Sequence, residues 1–465
     1  MARRRRASPP PRERDRLRYD ARVAQLRLDV DPKRELDCKL MSAEQAARLV
    51  QSGEQLWIPI THAPIAILQA LAARGAELRG VKIRTLLIPD FGWFRREAME
   101  SFDIQIQYAI QPDARAALAA RTLDFHPFSM IMQHKAIDAG RPEAQPIDKL
   151  LLTVSPPDER GWMCVGNACW DAVSCAPRAR MVVAELNESV VRTCGDSWLH
   201  VSQFDALVAN HRPRLAAPDP TEFDAVDRAI ADHVKGLVND GDTIQVGLGS
   251  HTGRLALLGA FDGRNDLAYF GELTVPGLVE LARRGVINGR RAALHPGKFV
   301  ATHIGNSLAD LDYIERNPAF EVHSYEHTND PRAIAAHDEM LALNGALMVD
   351  LSGQIGVYAL GSRVYTGLGG HLGFAIGAFL ARRGRYVTVL PSSARGGKVS
   401  TIVPQFDAGQ IVSIPRELAD TIVTDQGVAR LLGKSVRERT EELIRIAHPA
   451  FRDELRAAAR RLYWP

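Results

Sequence analysis

The sequence predicts an α/β protein built from two open-sheet domains, and three observations predict it. From Met41 onward, short β-branched or aliphatic runs alternate with amphipathic helical stretches, the pattern of parallel sheets covered by helices. A stretch with Pro213, Pro218 and Pro220 and little periodicity, "ANHRPRLAAPDPTEFDAV", divides that pattern in two and reads as a linker. Twice in the second half a glycine-rich break opens a helical pattern, the kind of turn that lets backbone approach a ligand.

Taken in order, residues 1–40 form an Arg- and Pro-rich segment with interspersed acids and no apolar stretch; they are expected to be a disordered basic tail. "MSAEQAARLV" begins at Met41 with a Ser ahead of a helical pattern, so the preceding forty residues are candidates to be dispensable. A first domain, 41–214, contains the strand-like runs "QLWIPI", "VKIRTLLIP", "KLLLTVSP" and "ARMVVAEL", and a helix, "PIAILQALAARG", stopping at Gly75. A second domain, 215–465, offers "DTIQVGLG", "GALMVDL", "YVTVLP" and "QIVSIP" as strands. Its expected helices are "EFDAVDRAIADHVKGLV" and "HLGFAIGAFLARRG", the latter ending at Gly384.

The bulk numbers exclude several classes. The net charge of +3 is small for 465 residues, and Arg3, Arg4, Arg5 and Arg6 supply much of it, so the domains lack the basic footprint of a nucleic-acid surface. No run is long and apolar enough to span a bilayer. Five cysteines without an apolar leader, Cys38, Cys164, Cys169, Cys175 and Cys194, fit a reducing cytoplasm. Their spacing matches no zinc pair, so buried free thiols and no metal site are expected.

Three segments carry chemistry. In "IQVGLGSHTGRLALLG" a buried strand breaks at Gly247, Leu248 and Gly249 and turns into a helical pattern, presenting amides to an anion or polarised carbonyl. In "YTGLGGHLGFAIGAFL", Gly367, Gly369 and Gly370 precede a second helix. Folds of this class place ligands beyond the carboxyl ends of their strands, where both loops would converge. Between them, "DLAYFGELTVPGLVEL" sets Glu272 at the end of a strand-like run on that same edge. Pattern alone leaves Glu272 a surface charge, a helix-start residue or a catalytic carboxylate.

From Met41 to Arg461 the chain resembles the acetyl-CoA hydrolase/4-hydroxybutyrate CoA-transferase family. The resemblance rests on an ordered succession: "LLTVSPPDERGW", "NESVVRTCGDSWLHVSQFDALV", "VGLGSH", "FGELTVPGLVEL", "LNGALMVDLSGQI", "TGLGGHLGF", "LPSSARGGKVSTIVP", "IVTDQGVARLLGK" and "IAHPAFRDEL". It implies two α/β domains of the CoA-transferase (NagB/RpiA-like) type. It also implies a homodimer or larger homo-oligomer, acyl-CoA and small carboxylic acids as partners, coenzyme A as a substrate and not as a permanently bound cofactor, and no metal.

By that resemblance Glu272 is the covalent nucleophile, the backbone near Leu248 and Gly249 and that of Gly370, with Gly369 its close competitor, bind CoA or an oxyanion, and Asn344 and Asp425 occupy the family's active-site asparagine and acidic positions. Without it, Asn344 reads as a strand-edge polar residue and Asp425 as a turn aspartate. The second glycine loop has His371 and Gly373 where relatives commonly show Gln and Asp, and in the early loop "PITHAPIAIL" only Pro64 clearly matches. His371 reads either as a helix-start residue or as a group titrating near neutrality. The expected activity is CoA transfer from a small acyl-CoA to a free carboxylate; an acyl-CoA hydrolase and a non-catalytic CoA-binding homologue are the alternatives.

Overall fold

The structure, a computed structural model, describes residues 26–214, 216 and 220–465. The four arginines of the tail lie outside them. The end of the expected tail is ordered: α1 (Pro32–Lys39) forms where disorder was expected. Asp31 caps it by accepting hydrogen bonds from the amides of Lys33 and Arg34, and Pro32 begins the helix, where a missing N–H costs nothing. Leu36 packs on the core and Lys39 Nζ donates to the Val201 carbonyl at 2.9 Å. One leucine and a few polar anchors suffice to dock a helix that has little apolar pattern of its own. Ser42 then caps α2 (Ala43–Arg48) through a reciprocal box with Gln45.

The first sheet comprises β1 (Gln55–Ile58), β2 (Val81–Thr85), β3 (Phe102–Ile106), β4 (Asp124–Phe125), β5 (Ile147–Val154) and β6 (Ala179–Leu186). The chain next contributes β7 (Cys194–Gly195) to the other sheet and returns with β8 (Ala206–Ala209). The first sheet runs β8-β6-β5-β1-β2-β3-β4, every pair parallel. β5, almost wholly buried, has the continuous apolar run of a central parallel strand. Helix α3 (Ile65–Ala73) follows β1 as expected. Ahead of it Thr61 stands at φ 64°, the left-handed region that glycine takes without strain.

Beyond the proline-rich stretch, α4 (Ala225–Lys235) leads into β9 (Thr243–Val246), β10 (Ala268–Leu273), β11 (Phe299–His303), β12 (Phe320–Val322), β13 (Met340–Gly345), β14 (Arg385–Val389), β15 (Thr421–Thr424) and β16 (Gly427–Arg430). Their order is β16-β15-β14-β13-β9-β10-β11-β12-β7. Only the β15–β16 hairpin is antiparallel. Two expected strands fall elsewhere. In "GALMVDL" the residues Met348–Asp350 pair in a small three-stranded sheet, and the preceding "MLALNG" supplies β13. In "QIVSIP" only Ile414 bridges to Ile355. Apolar runs of this length mark burial without choosing the sheet that buries them.

Strands β10 to β12 lie on one side of β9 and β13 to β15 on the other, so the chain reverses direction between β9 and β13, which creates a crevice at the carboxyl ends of these two strands. The sheets share a core: Trp57, Leu150 and Val182 of the first belong to one buried cluster with Ile244, Tyr269 and Phe299 of the second. Backbone also crosses between them. Cys169 N–H donates to the Thr302 carbonyl at 2.7 Å, Ile304 N–H to Asn167 at 2.8 Å and Tyr325 N–H to Trp170 at 2.9 Å. Cys164, Cys169 and Cys175 are buried, and all five thiols are free.

Candidate active site

Glu272 lies on β10, one strand from the crevice, with only 8% of its surface exposed. A carboxylate so placed loses water and needs donors. Its Oε2 accepts a hydrogen bond from the Gly370 N–H at 2.6 Å and another from Asn329 Nδ2 at 3.0 Å. Burial nevertheless prevails over both bonds and raises its pKa from 4.5 to about 7.

Each donor is placed by a helix end. Gly370 precedes α5 (His371–Leu380), so its amide is among the unpaired donors at that helix's start. A methyl group on Gly370 would collide with Glu272 Oε2 and Asn329 Nδ2, so glycine is required by close approach. Asn329 follows the short helix Tyr325–Thr328; its Oδ1 accepts from Thr328 Oγ1 at 2.9 Å, which aims the amide nitrogen at the carboxylate. Sequence reading missed Asn329. The motif "NDPR" signals the Asp330 cap and the proline that begins the next helix, and nothing in it separates Asn329 from an ordinary turn residue.

The first half reaches the same carboxylate through Tyr108. A side chain on Gly369 would strike the Tyr108 hydroxyl and stand 3.3 Å from Glu272 Oε1. Burial, and secondarily the Glu272 charge, push the Tyr108 pKa well above its ordinary value, so the phenol stays protonated. Ala109 N–H donates to the Thr366 carbonyl at 3.2 Å, and a Cβ on Gly367 would collide with the Gln107–Tyr108 backbone and ring. The second glycine loop is thus wedged between the halves. Met130 Sδ lies 3.4 Å from Asn329 Nδ2.

The crevice holds the first glycine loop. Asn344, at the end of β13, exchanges side-chain hydrogen bonds with Gln245 at 2.9 and 3.2 Å, and its Oδ1 fills the space a Cβ on Gly247 would need. Leu248 is exposed at the crevice mouth. Gly249 lies against Thr252, whose buried Oγ1 has no hydrogen-bond partner and also faces Gly345. An unpaired hydroxyl at the strand ends is free to bond a ligand or a water; "SHTG" offered no pattern to single it out.

One expected site residue, Asp425, lies apart from this cluster. Asp425, at the β15–β16 turn, accepts from Ser392 N–H at 2.6 Å and Ser392 Oγ at 3.0 Å. It is four strands from Glu272 in the sheet order, about 19 Å at normal strand spacing, and nothing joins the two. His371 is buried against the Tyr386 hydroxyl, and burial lowers its pKa to about 3. It is a neutral helix-start residue and does not titrate near neutrality. A Cβ on Gly373 would sit 2.7 Å from the Asn329 carbonyl oxygen, so an acid there would displace the asparagine that holds Glu272.

Two family models match the chain: the acetyl-CoA hydrolase/transferase N-terminal domain over residues 27–217 and the acetyl-CoA hydrolase/transferase C-terminal domain over residues 309–459. Gly370, Asn329 and Asn344 fall within the second match; Glu272 falls between the two. The chain is 32% identical over 420 residues to the 4-hydroxybutyrate coenzyme A transferase of Clostridium kluyveri, covering 90% of this chain and 96% of that protein. It is 32% identical over 427 residues to the succinyl-CoA:cyclohexane-1-carboxylate CoA transferase of Geobacter metallireducens, covering 91% and 95%. Its fold matches the crystal structure of RipA from Yersinia pestis at a TM-score of 0.86 and 28% identity, over 94% of this chain and 100% of that one.

Proposed function

This chain belongs to the acetyl-CoA hydrolase/transferase family, and from that premise we propose that it transfers CoA from a small acyl-CoA to a free carboxylate through a glutamyl-CoA thioester on Glu272. The observation that carries the reading is the buried Glu272 carboxylate with a backbone amide and a side-chain amide already on one oxygen. Glu272 attacks the acyl carbonyl, CoA thiolate leaves, and an acyl-glutamyl anhydride forms. The thiolate then adds to the side-chain carbonyl of Glu272 and expels the donor's carboxylate, leaving the thioester. An incoming carboxylate reverses both steps.

No proton is gained or lost over this sequence, because carboxylate and thiolate exchange places at each step. The groups against Glu272 suit that balance: an amide, a backbone N–H and a phenol that stays protonated, none of them a base. Water would need one to attack the thioester, which favours transfer over hydrolysis. When thiolate adds to Glu272, the negative charge develops on a side-chain oxygen, and Gly370 N–H and Asn329 Nδ2 already point at it. We assign the oxyanion of the other intermediate to the backbone near Leu248 and Gly249, with the Thr252 hydroxyl beside it. Asn344 orients that loop, while Asp425 braces the Ser392 loop and lies outside the reacting centre. The acyl group would enter at the β9–β13 crevice, and the active form would be a homo-oligomer.

The test is peptide mass spectrometry after incubation with acetyl-, propionyl-, butyryl- and succinyl-CoA. A CoA-sized adduct on the Glu272 peptide, absent in Glu272→Ala and discharged faster by carboxylates than by water, is expected. An adduct discharged equally by water would establish the hydrolase instead. Failure to form any adduct, with Glu272→Ala turning over normally, would overturn the assignment.

A further inference from the structure

We propose that His134, Asp171 and Cys175 form a structural site for one zinc-type divalent cation, apart from the CoA chemistry. All three side chains are buried. Asp171 immediately precedes the one-turn helix Ala172–Cys175, and the four-residue separation puts its carboxylate and the Cys175 thiol on one face. His134 arrives from the loop before the short helix Lys135–Asp138 and packs edge-on against Trp57, ring centroids 5.3 Å apart.

The donor atoms have the spacing a tetrahedral ion requires. His134 Nε2 is 3.2 Å from Cys175 Sγ and 3.7 Å from Asp171 Oδ2, and Cys175 Sγ is 3.5 Å from Asp171 Oδ2. Metal–ligand distances of about 2.0–2.3 Å make the edges of a tetrahedron about 3.3–3.8 Å, which two of these separations meet and the His134–Cys175 separation approaches from below. The second observation is Asp171 Oδ1, buried and without a hydrogen-bond partner. It leaves the Asp171 carboxylate with acceptor capacity that the described residues do not use.

Charge points the same way. One carboxylate, one thiolate and a neutral imidazole balance a divalent ion, so the buried set becomes neutral when filled. Binding releases the Cys175 proton to solvent, one per ion. Trp57 Nε1 donates to Asp171 Oδ2 at 2.8 Å, and the Tyr325 hydroxyl lies 3.1 Å from it, giving the outer contacts that orient a metal-bound carboxylate.

The expectation of no metal rested on cysteine spacing and on the family resemblance; spacing does not test this set, which has one cysteine with its histidine 41 residues away, and the CoA chemistry that the resemblance implies makes no use of it. A second cluster, His295, Glu321 and His323, is less apt. Its imidazoles lie 2.8 and 3.1 Å from Glu321 Oε2, shorter than the edge of a tetrahedral shell. Tyr325 also begins the short helix Tyr325–Thr328 that Asn329 follows, so an ion at Asp171 would brace the residue holding Glu272.

The experiment measures metal in the full chain purified without chelators and with zinc in the medium, followed by zinc-edge X-ray absorption. About one zinc per chain, with a single sulfur among nitrogen and oxygen neighbours, is expected. Cobalt exchanged into the site should show thiolate-to-metal charge-transfer absorption that Cys175→Ser removes and Cys194→Ser leaves. Metal well below one per chain, a shell without sulfur, or a band that survives Cys175→Ser would overturn the proposal. The absorption measurement on wild-type protein decides the matter even if Cys175→Ser fails to fold.

Discussion

At Glu272 the balance between burial and hydrogen bonding bears on stability and, with the proposed role as nucleophile, on rate. Its pKa of about 7 means the carboxylate is only half ionised at neutrality, so if it is the nucleophile as proposed, kcat/KM is expected to rise with pH and level off above about 7, a limb that rate–pH profiles in the absence of saturating substrate will show. Stability runs the other way. Between pH 4.5 and about 7 the folded state holds a proton that the unfolded state has released, so Glu272 makes folding less favourable as pH rises across that window, by about 3 kcal/mol in all. Urea unfolding at pH 5 and pH 8 should show that slope in wild type and a flatter one in Glu272→Gln. Asn329→Ala removes one of two donors from the oxygen that becomes charged; kcat should fall about 10²-fold, with the pH limb displaced upward. An unchanged limb would mean that Asn329 does not act on the carboxylate.

At the scale of elements, sequence pattern and structure agree where apolar runs are long and bounded, as at β5, α3 and α5. They part at "GALMVDL", where the neighbouring run made the better central strand, and at α1, whose docking depends on Leu36 and on polar bonds. The site divides similarly. The two glycine loops stood out because glycine breaks after strands mark the ligand edge, whereas Glu272 was singled out by the family resemblance and pattern alone left its role open. Asn329, Tyr108 and Thr252 were not, since each acts through a meeting of distant segments that local spacing does not record. The α1 result bears on where the folded chain begins. A protein starting at Met41 should lose about 1–2 kcal/mol relative to one starting at Leu26, read as a lower Tm in parallel melts; equal values would make α1 an ornament.

For the whole molecule, one core cluster spans both sheets, and backbone hydrogen bonds from 167–170 reach the second. Calorimetry should therefore show a single endotherm for the two halves; two separated peaks would contradict the shared core. β7 ties them further: Cys194 and Gly195, between β6 and β8 of the first sheet, pair with Glu321 and Val322 as the edge of the second. A Cβ on Gly195 would stand 2.5 Å from the Val322 carbonyl oxygen, so that junction tolerates only glycine. In terms of inheritance, the proline-rich connection is a poor place for recombination. A hybrid that took its first half from one ancestor and its second from another would have to match a strand edge, a shared core and a wedged glycine loop at once, so the two halves can be expected to have travelled through evolution as one gene.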